Sequence, residues 1–212
     1  MPKQFIFFPP IVQFLLILNG ISFVLLIAAT EQGIETFALW PLGLTGEALF
    51  DGIAPRFELW QLVTYSFLHN GLFHLLLNMY ALWLFGSRIE NVWGSKAFVI
   101  YYFVCVIGAG LVQLFIASQA VSDGAIYPTV GASGGVFGLL LAFGMAFPNE
   151  RLMLLFPPII LKAKWFVLIY GCIELYAGVT GTLAGIAHFA HLGGMLFGFL
   201  LLWYWGKHPL KR

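Results

Sequence analysis

Apolar residues gather along this chain into six long runs, separated by short polar connections and one long one. The runs cover residues 11–29, 67–85, 97–117, 132–147, 165–183 and 187–205. A helix needs about 20 mostly apolar residues to cross a bilayer, so each run predicts a spanning helix. The fourth run is short, which suits a helix that begins below the membrane surface, fed by a re-entrant segment buried in protein. The segment ahead of it, Ser122-Asp123-Gly124-Ala125-Ile126-Tyr127-Pro128-Thr129, is polar and turn-rich. The longest connection, residues 30–66, carries Glu31, Glu35, Glu47, Asp51 and Glu58 together with Trp40 and Trp60. A loop of this length is usually functional or anchored, and tryptophan rings prefer headgroup depth. The pattern therefore predicts an all-α bundle of six transmembrane helices with a long, partly embedded first outer loop. Nothing in it marks a repeat or a second soluble domain, so residues 1–212 read as one polytopic membrane domain.

Composition explains where so much apolar surface goes. Of 212 residues, 61% are hydrophobic and 9% charged, against about a quarter charged in soluble domains. No core of this size could hide that surface, so lipid must take it. The basic residues then orient the helices. With the N-terminus cytoplasmic, that side receives Lys3, Arg88, Lys96, Arg151, Lys162, Lys164, Lys207, Lys211 and Arg212. The other side keeps only Arg56, an asymmetry that satisfies the positive-inside rule. One missed span would scramble the split. A signal peptide ending near Ala28-Ala29 is the competing reading of the first run, but the apolar stretch is long for one and the charge split needs no cleavage. The bare six-span form predicts a bacterial plasma membrane, with both termini cytoplasmic. No basic run points to nucleic acid. Cys105 and Cys172 both fall inside apolar runs and read as small hydrophobes, not as a disulfide.

Polar residues inside the runs carry the candidate chemistry. Ser133 falls in the first turn of the fourth helix, within Gly131-Ala132-Ser133-Gly134-Gly135. His188 and His191 fall in the first turns of the sixth, and His74 and Asn78 in the outer half of the second, with His69 at its water boundary. All of these lie toward one leaflet; only His208 is on the other side. Intramembrane polar groups are costly and tend to face the bundle interior or a wet cavity. Gly134 and Gly138 on the fourth helix, and Gly194 and Gly198 on the sixth, form faces that allow close helix contact. Two such helices running the same way would set the Ser133 hydroxyl beside the His191 imidazole, which could take its proton. No Asp or Glu shares the sequence neighbourhood of His191, so a dyad is the sparser reading. The Ser133 amide at a helix start, with His74 and Asn78 at i and i+4, could donate to an oxyanion. Glu174 falls midway along the fifth helix, away from this cluster, where a bundle-facing hydrogen bond or a gating role would suit it. A metal site at the histidines is the rival, but no carboxylate is close in sequence to either pair and the His-Glu-x-x-His pattern is missing. The site predicts no metal and no cofactor.

With these residues assembled, the chain resembles the rhomboid intramembrane serine proteases over about residues 57–205. The nucleophile motif Gly-x-Ser-Gly stands as Gly131-Ala132-Ser133-Gly134. The base motif stands as Ala190-His191-Leu192-Gly193-Gly194-Met195-Leu196-Phe197-Gly198, and the second-helix pattern as His74 and Asn78. Gln113 resembles a glutamine the family places on its third helix. The resemblance implies Ser133 as nucleophile, His191 as general base, and His74 and Asn78 lining the oxyanion hole. The family's tryptophan–arginine pair appears as Trp60-Gln61, without the arginine. Phe137, one turn after Ser133, is spaced to pack against the imidazole. The implied activity is endopeptidase cleavage of a membrane protein with a single transmembrane helix, through an acyl-enzyme. Movement of the fifth helix, or of the loop above Ser133, would admit the substrate. A non-catalytic relative that binds or escorts transmembrane helices is the alternative; it would not need both Ser133 and His191.

Overall fold

In the computed structural model, residues 5–43, 55–153, 158–182 and 185–207 are described. Lys3, Glu47, Asp51, His208, Lys211 and Arg212 lie outside them. The chain is mostly helical, and the six apolar runs form a helix bundle. The elements are α1 (Pro10–Ala28), α2 (Thr30–Phe37), the short α3 (Gln61–Thr64), α4 (Leu72–Ala81), α5 (Ser87–Trp93), α6 (Ser95–Ala120), α7 (Ser133–Ala146), α8 (Ala163–Thr180) and α9 (His188–Lys207). A widened turn, Leu82–Gly86, joins α4 and α5 into one composite helix. Four stretches are long and apolar enough to cross a membrane: Pro10–Ala28, Leu72–Trp93, Ser95–Asp123 and His188–Lys207. Of the other two, α7 has 14 residues and α8 has 18, with Lys164 and Glu174 among them.

Outward faces are apolar almost throughout; Val24, Phe73, Phe115, Tyr176 and Val179 are among the large side chains left on the outside. In a bilayer these positions meet lipid. The interior is built on aromatic rings, with Tyr65, Phe98, Tyr101 and Tyr102 fully buried. Two of them also bond across helices: Tyr101 donates to the carbonyl of Gly138 at 2.8 Å, and Tyr65 to that of Val106 at 2.8 Å. Such bonds hold helices together where lipid offers no hydrophobic drive. At the far end, buried Glu90 accepts the amides of Ile11 (3.1 Å) and Val12 (2.9 Å) and the hydroxyl of Ser95 (2.6 Å). Its carboxylate thus satisfies the free N–H groups at the start of α1 and suits the dipole there.

Helix α9 packs along both α6 and α7, and glycine makes this possible. A Cβ on Gly194 would collide with the backbone carbonyl of Gly134. Gly134 itself turns its open side toward Ala109 of α6, Gly138 toward Cys105, and Gly198 toward Tyr101. The small residues thus knit three helices together, more than the pair expected from the motif alone. Cys105 is buried as expected, whereas Cys172 faces outward. Beyond α7 the chain makes an unforeseen antiparallel hairpin of Arg151–Met153 and Ile160–Lys162, with Leu152 opposite Leu161. It satisfies backbone groups as the chain turns back into α8.

Hydrogen bonds anchor the first loop and fix its shape. Leu39 and Thr129 exchange amide–carbonyl bonds at 3.0 and 2.9 Å, which ties the loop to the segment before α7. Trp60 donates its indole N–H to the carbonyl of Thr36 at 2.9 Å. Gln61, fully buried, accepts the Trp40 amide at 3.2 Å and donates toward the carbonyls of Thr36 and Arg56, each at 3.4 Å. An amide therefore does the anchoring at the position where the family pattern has arginine.

Two outcomes follow for stability in detergent. Gly194→Ala forces α7 and α9 apart and lowers stability by about 1–3 kcal/mol, the usual cost of overpacking, read as a lower thermal midpoint. Gln61→Leu strands the buried Trp40 amide and costs about 1–3 kcal/mol; an unchanged midpoint would show that the loop is held elsewhere.

Candidate active site

The peptide before Ser133 is held on both sides. Its Thr129 pairs with Leu39, and the Gly131 amide donates to the carbonyl of Tyr65 at 2.9 Å. Gly131 adopts φ 131°, a backbone region that favours glycine. Any Cβ there would sit 3.1 Å from Nε2 of His74 and 3.6 Å from Oγ of Ser133. Glycine thus keeps open the small space between the hydroxyl and His74. Ser133 is the first residue of α7, so its own N–H belongs to the turn that lacks intrahelical acceptors.

The Gly134–Gly194 contact brings the N-terminal turns of α7 and α9 level. Oγ of Ser133 and Nε2 of His191 lie 2.7 Å apart, a hydrogen bond in which the hydroxyl donates when the ring carries its proton on Nδ1. The ring of Phe137 lies parallel over the imidazole, with centroids 4.1 Å apart and planes 5° from parallel. The spacing argument for Phe137 therefore finds its contact, and the stack fixes the plane in which Nε2 points.

The second helix contributes in two different ways. His74 accepts the Asn70 amide at Nδ1, 3.3 Å. A neutral ring so held carries its proton on Nε2, the nitrogen facing Gly131. Asn78 is buried, but its amide donates back to the carbonyl of His74 at 3.0 Å. One of its two donors is thus spent within its own helix. His69 is not at a water boundary: it is 2% exposed, its ring packs edge-on to His74 at 5.1 Å, and neither ring nitrogen has a hydrogen-bond partner among the described residues. Its neighbour Leu68 packs with Ala38 and Trp40 of the first loop, which covers this turn of the chain. Gln113, on α6, is likewise buried with its carbonyl oxygen unpaired.

Glu174 corrects the sequence reading. It does not sit apart from the cluster: its Oε2 lies 2.6 Å from Nδ1 of His188 and 2.9 Å from Nδ1 of His191. The contact to His188 has hydrogen-bond alignment; the approach to His191 is close but off-line. Helix α8 ends at Thr180, with Gly181 in the left-handed conformation, so Glu174 is six residues from the helix end. That is about 9 Å at 1.5 Å per residue, a depth the first turns of α9 share. Seventeen residues of sequence separation hid a direct contact. The signal available was the carboxylate itself, which needs a buried donor, and the neighbouring helix offers two imidazoles. Glu174, His188 and His191 also form a cluster of metal-binding type, with ligand atoms within 4.8 Å of one another. Two atoms coordinating one zinc at about 2.0–2.1 Å in tetrahedral geometry stand well over 3 Å apart. The 2.6 and 2.9 Å separations here are those of groups sharing protons directly.

The Rhomboid domain family matches residues 56–208. The mitochondrial presenilin-associated rhomboid-like protein of Mus musculus is 35% identical over 140 residues, which is 66% of this chain and 35% of that protein. The mitochondrial Rhomboid protein 1 of Saccharomyces cerevisiae is 31% identical over 147 residues, covering 69% of this chain and 42% of the relative. The chloroplastic Rhomboid-like protein 11 of Arabidopsis thaliana is 32% identical over 162 residues, 73% of this chain and 55% of that one. The chain thus matches about a third to a half of the length of these relatives. Their names, mitochondrial and chloroplastic, overturn the expectation of a bacterial plasma membrane. The expectation came from the bare six-span form, which says how a chain crosses a membrane but not which membrane, so the sequence argument had no hold on that point.

Burial pushes His69 down to about 4, with His74 nearby adding to the effect. An unfolded histidine titrates near 6.5, so below that pH the unfolded chain binds more protons than the native one. Stability should therefore fall as pH drops from about 6.5 towards 4. Thermal unfolding across this range should show a smaller loss for His69→Gln than for wild type.

Proposed function

The chain belongs to the rhomboid family, and from that premise we propose that it is a serine endopeptidase that cuts a single-span membrane protein within or beside its transmembrane helix. The observation that carries this reading is the 2.7 Å contact between Oγ of Ser133 and Nε2 of His191. A binding protein that only escorts helices has no use for a hydroxyl aligned on an imidazole at a helix N-terminus.

The steps follow from the groups present. Oγ of Ser133 attacks the scissile carbonyl carbon while its proton passes to Nε2 of His191. The carbonyl oxygen gains the electron pair and becomes an oxyanion. The amide of Ser133 and the Nε2–H of His74 flank the space kept open by Gly131 and supply donors to it; by the family resemblance, Asn78 would add its remaining N–H. Preorganised donors of this kind are worth about 2.7–4 kcal/mol each in related chemistry. Collapse of the intermediate expels the amine, which takes the proton from His191 and leaves an acyl ester on Ser133. Water, deprotonated by the same imidazole, then releases the acid and restores the hydroxyl. No step needs a metal or an organic cofactor.

The substrate follows from the depth of the site. A transmembrane helix hides its carbonyls in internal hydrogen bonds, so it must unwind locally to reach Ser133. Residues that break helices near the cut should favour cleavage. Nothing in the site reads nucleic acid.

The test uses protein reconstituted in liposomes with a panel of single-span substrates. Ser133→Ala should lower cleavage by a factor of about a thousand or more, as loss of a serine nucleophile does elsewhere. Labelling by a fluorophosphonate should disappear with it. Equal cleavage by both proteins, or a wild type that neither cleaves nor labels, would leave the helix-binding alternative.

A further inference from the structure

The proton relay proposed above has a requirement that Ser133 and His191 do not meet alone. For Nε2 to accept from the hydroxyl, a neutral His191 must carry its proton on Nδ1. That N–H is buried, and a buried donor without an acceptor costs about 1–3 kcal/mol. When the ring takes the serine proton, it also becomes a cation in a medium of low dielectric. The oxygen within reach of Nδ1 is Oε2 of Glu174, at 2.9 Å. Glu174 is itself buried and crosses from α8 to reach α9. On its other side the same oxygen is pinned by Nδ1 of His188 at 2.6 Å.

Resting on the protease reading, we infer that Glu174 is the positioning residue of His191, making the site a Ser133–His191–Glu174 relay in which His188 steadies the carboxylate. The carboxylate holds the Nδ1–H tautomer and offsets the charge that forms on the ring during attack. Its off-line approach in the resting structure is no obstacle, since such hydrogen bonds often tighten only when substrate is bound. Phe137 fixes the ring plane from one face, and Glu174 fixes its rotation within that plane. Glu174 touches neither substrate nor the reacting atoms, so it acts through His191.

Substitution of Glu174 tests this, with readouts that a purely structural role would leave unmoved. In liposomes, Glu174→Gln should lower kcat on the order of a hundredfold with KM unchanged, because an amide can present its N–H to Nδ1 and favour the wrong tautomer. Glu174→Asp should recover part of the loss. Thermal midpoints and fluorophosphonate titration report the folded, competent fraction. Nitrogen-15 spectra of labelled histidine should show His191 protonated at Nδ1 in wild type and shifted towards the other tautomer in Glu174→Gln. A wild-type kcat in Glu174→Gln overturns the inference, and so does a loss fully explained by a smaller folded fraction. Should Glu174→Gln fail to fold, a wild-type kcat in Glu174→Met, which offers Nδ1 no carboxylate, overturns it equally. If wild type neither cleaves nor labels, the protease reading fails by itself. The histidine spectra then decide whether Glu174 governs the tautomer of His191, and an unchanged spectrum sinks that too.

Discussion

Everything in this site depends on how closely two helices can approach in a solvent that does not push them together. Lipid tails are as apolar as leucine, so helix contact in a bilayer comes from packing and from polar bonds. The Gly134 carbonyl against Gly194 is the closest such approach around the site. It sets α7 and α9 at a separation where a short serine side chain meets an imidazole directly at 2.7 Å. One added methyl group at Gly194 is incompatible with that separation. Packing and chemistry are therefore one constraint, and the glycines that bear it also leave room for Cys105 and Tyr101 of α6 to lock the pair from behind.

The polar groups follow the same economy. An unpaired carboxylate at the depth of Glu174 would carry a heavy desolvation cost. Oε2 meets two imidazole nitrogens, hydrogen-bonding that of His188 and lying 2.9 Å from that of His191, so the carboxylate is not left alone. Breaking a buried pair by removing one partner typically costs about 3–5 kcal/mol. The cluster therefore joins α8 to α9 as well as bearing on the proton of His191. The Tyr101 and Tyr65 hydroxyls, each spent on a carbonyl of a neighbouring helix, tie the bundle in the same manner without charge.

How much of this the sequence could reveal divides by range. The six apolar runs, the helix start at Ser133 and the turn holding His191 are local patterns, and each is legible. The meeting of Ser133 with His191 was legible because glycine spacing states which faces can touch. Glu174 was not, because its depth depended on where α8 stops, at Thr180 and not at residue 183, and on the path of the connection to α9. His69 was misjudged for a related reason: a residue near a helix start counts as watery until the chain is seen to fold over it. Gln61 shows the opposite case. A departure from a family pattern looks like a loss, yet the amide meets the Trp40, Thr36 and Arg56 backbone by itself. The number of spans and the charge split describe how the chain crosses a membrane, but neither has a term for the identity of that membrane.

On the protease reading, the Glu174 contact also bears on how a substrate helix would enter. Helix α8 buries only Ala163, Val167, Glu174 and Ala177, and its other side chains reach the outside wholly or in part. Its buried apolar hold on the bundle is thus limited to three side chains. If α8 swings outward to open a path, it carries the carboxylate away from both imidazoles. His191 would then lose the acceptor for its Nδ1–H while the path is open, and Glu174 would need water or lipid headgroups to stay solvated. Opening of that kind and support of His191 exclude one another, so on the proposed mechanism attack would wait until α8 has closed. An entry above Ser133, through the loop tied by Leu39 and Thr129, carries no such penalty because it leaves α8 and α9 in contact. The geometry of one carboxylate therefore links the route of entry to the timing of the chemistry.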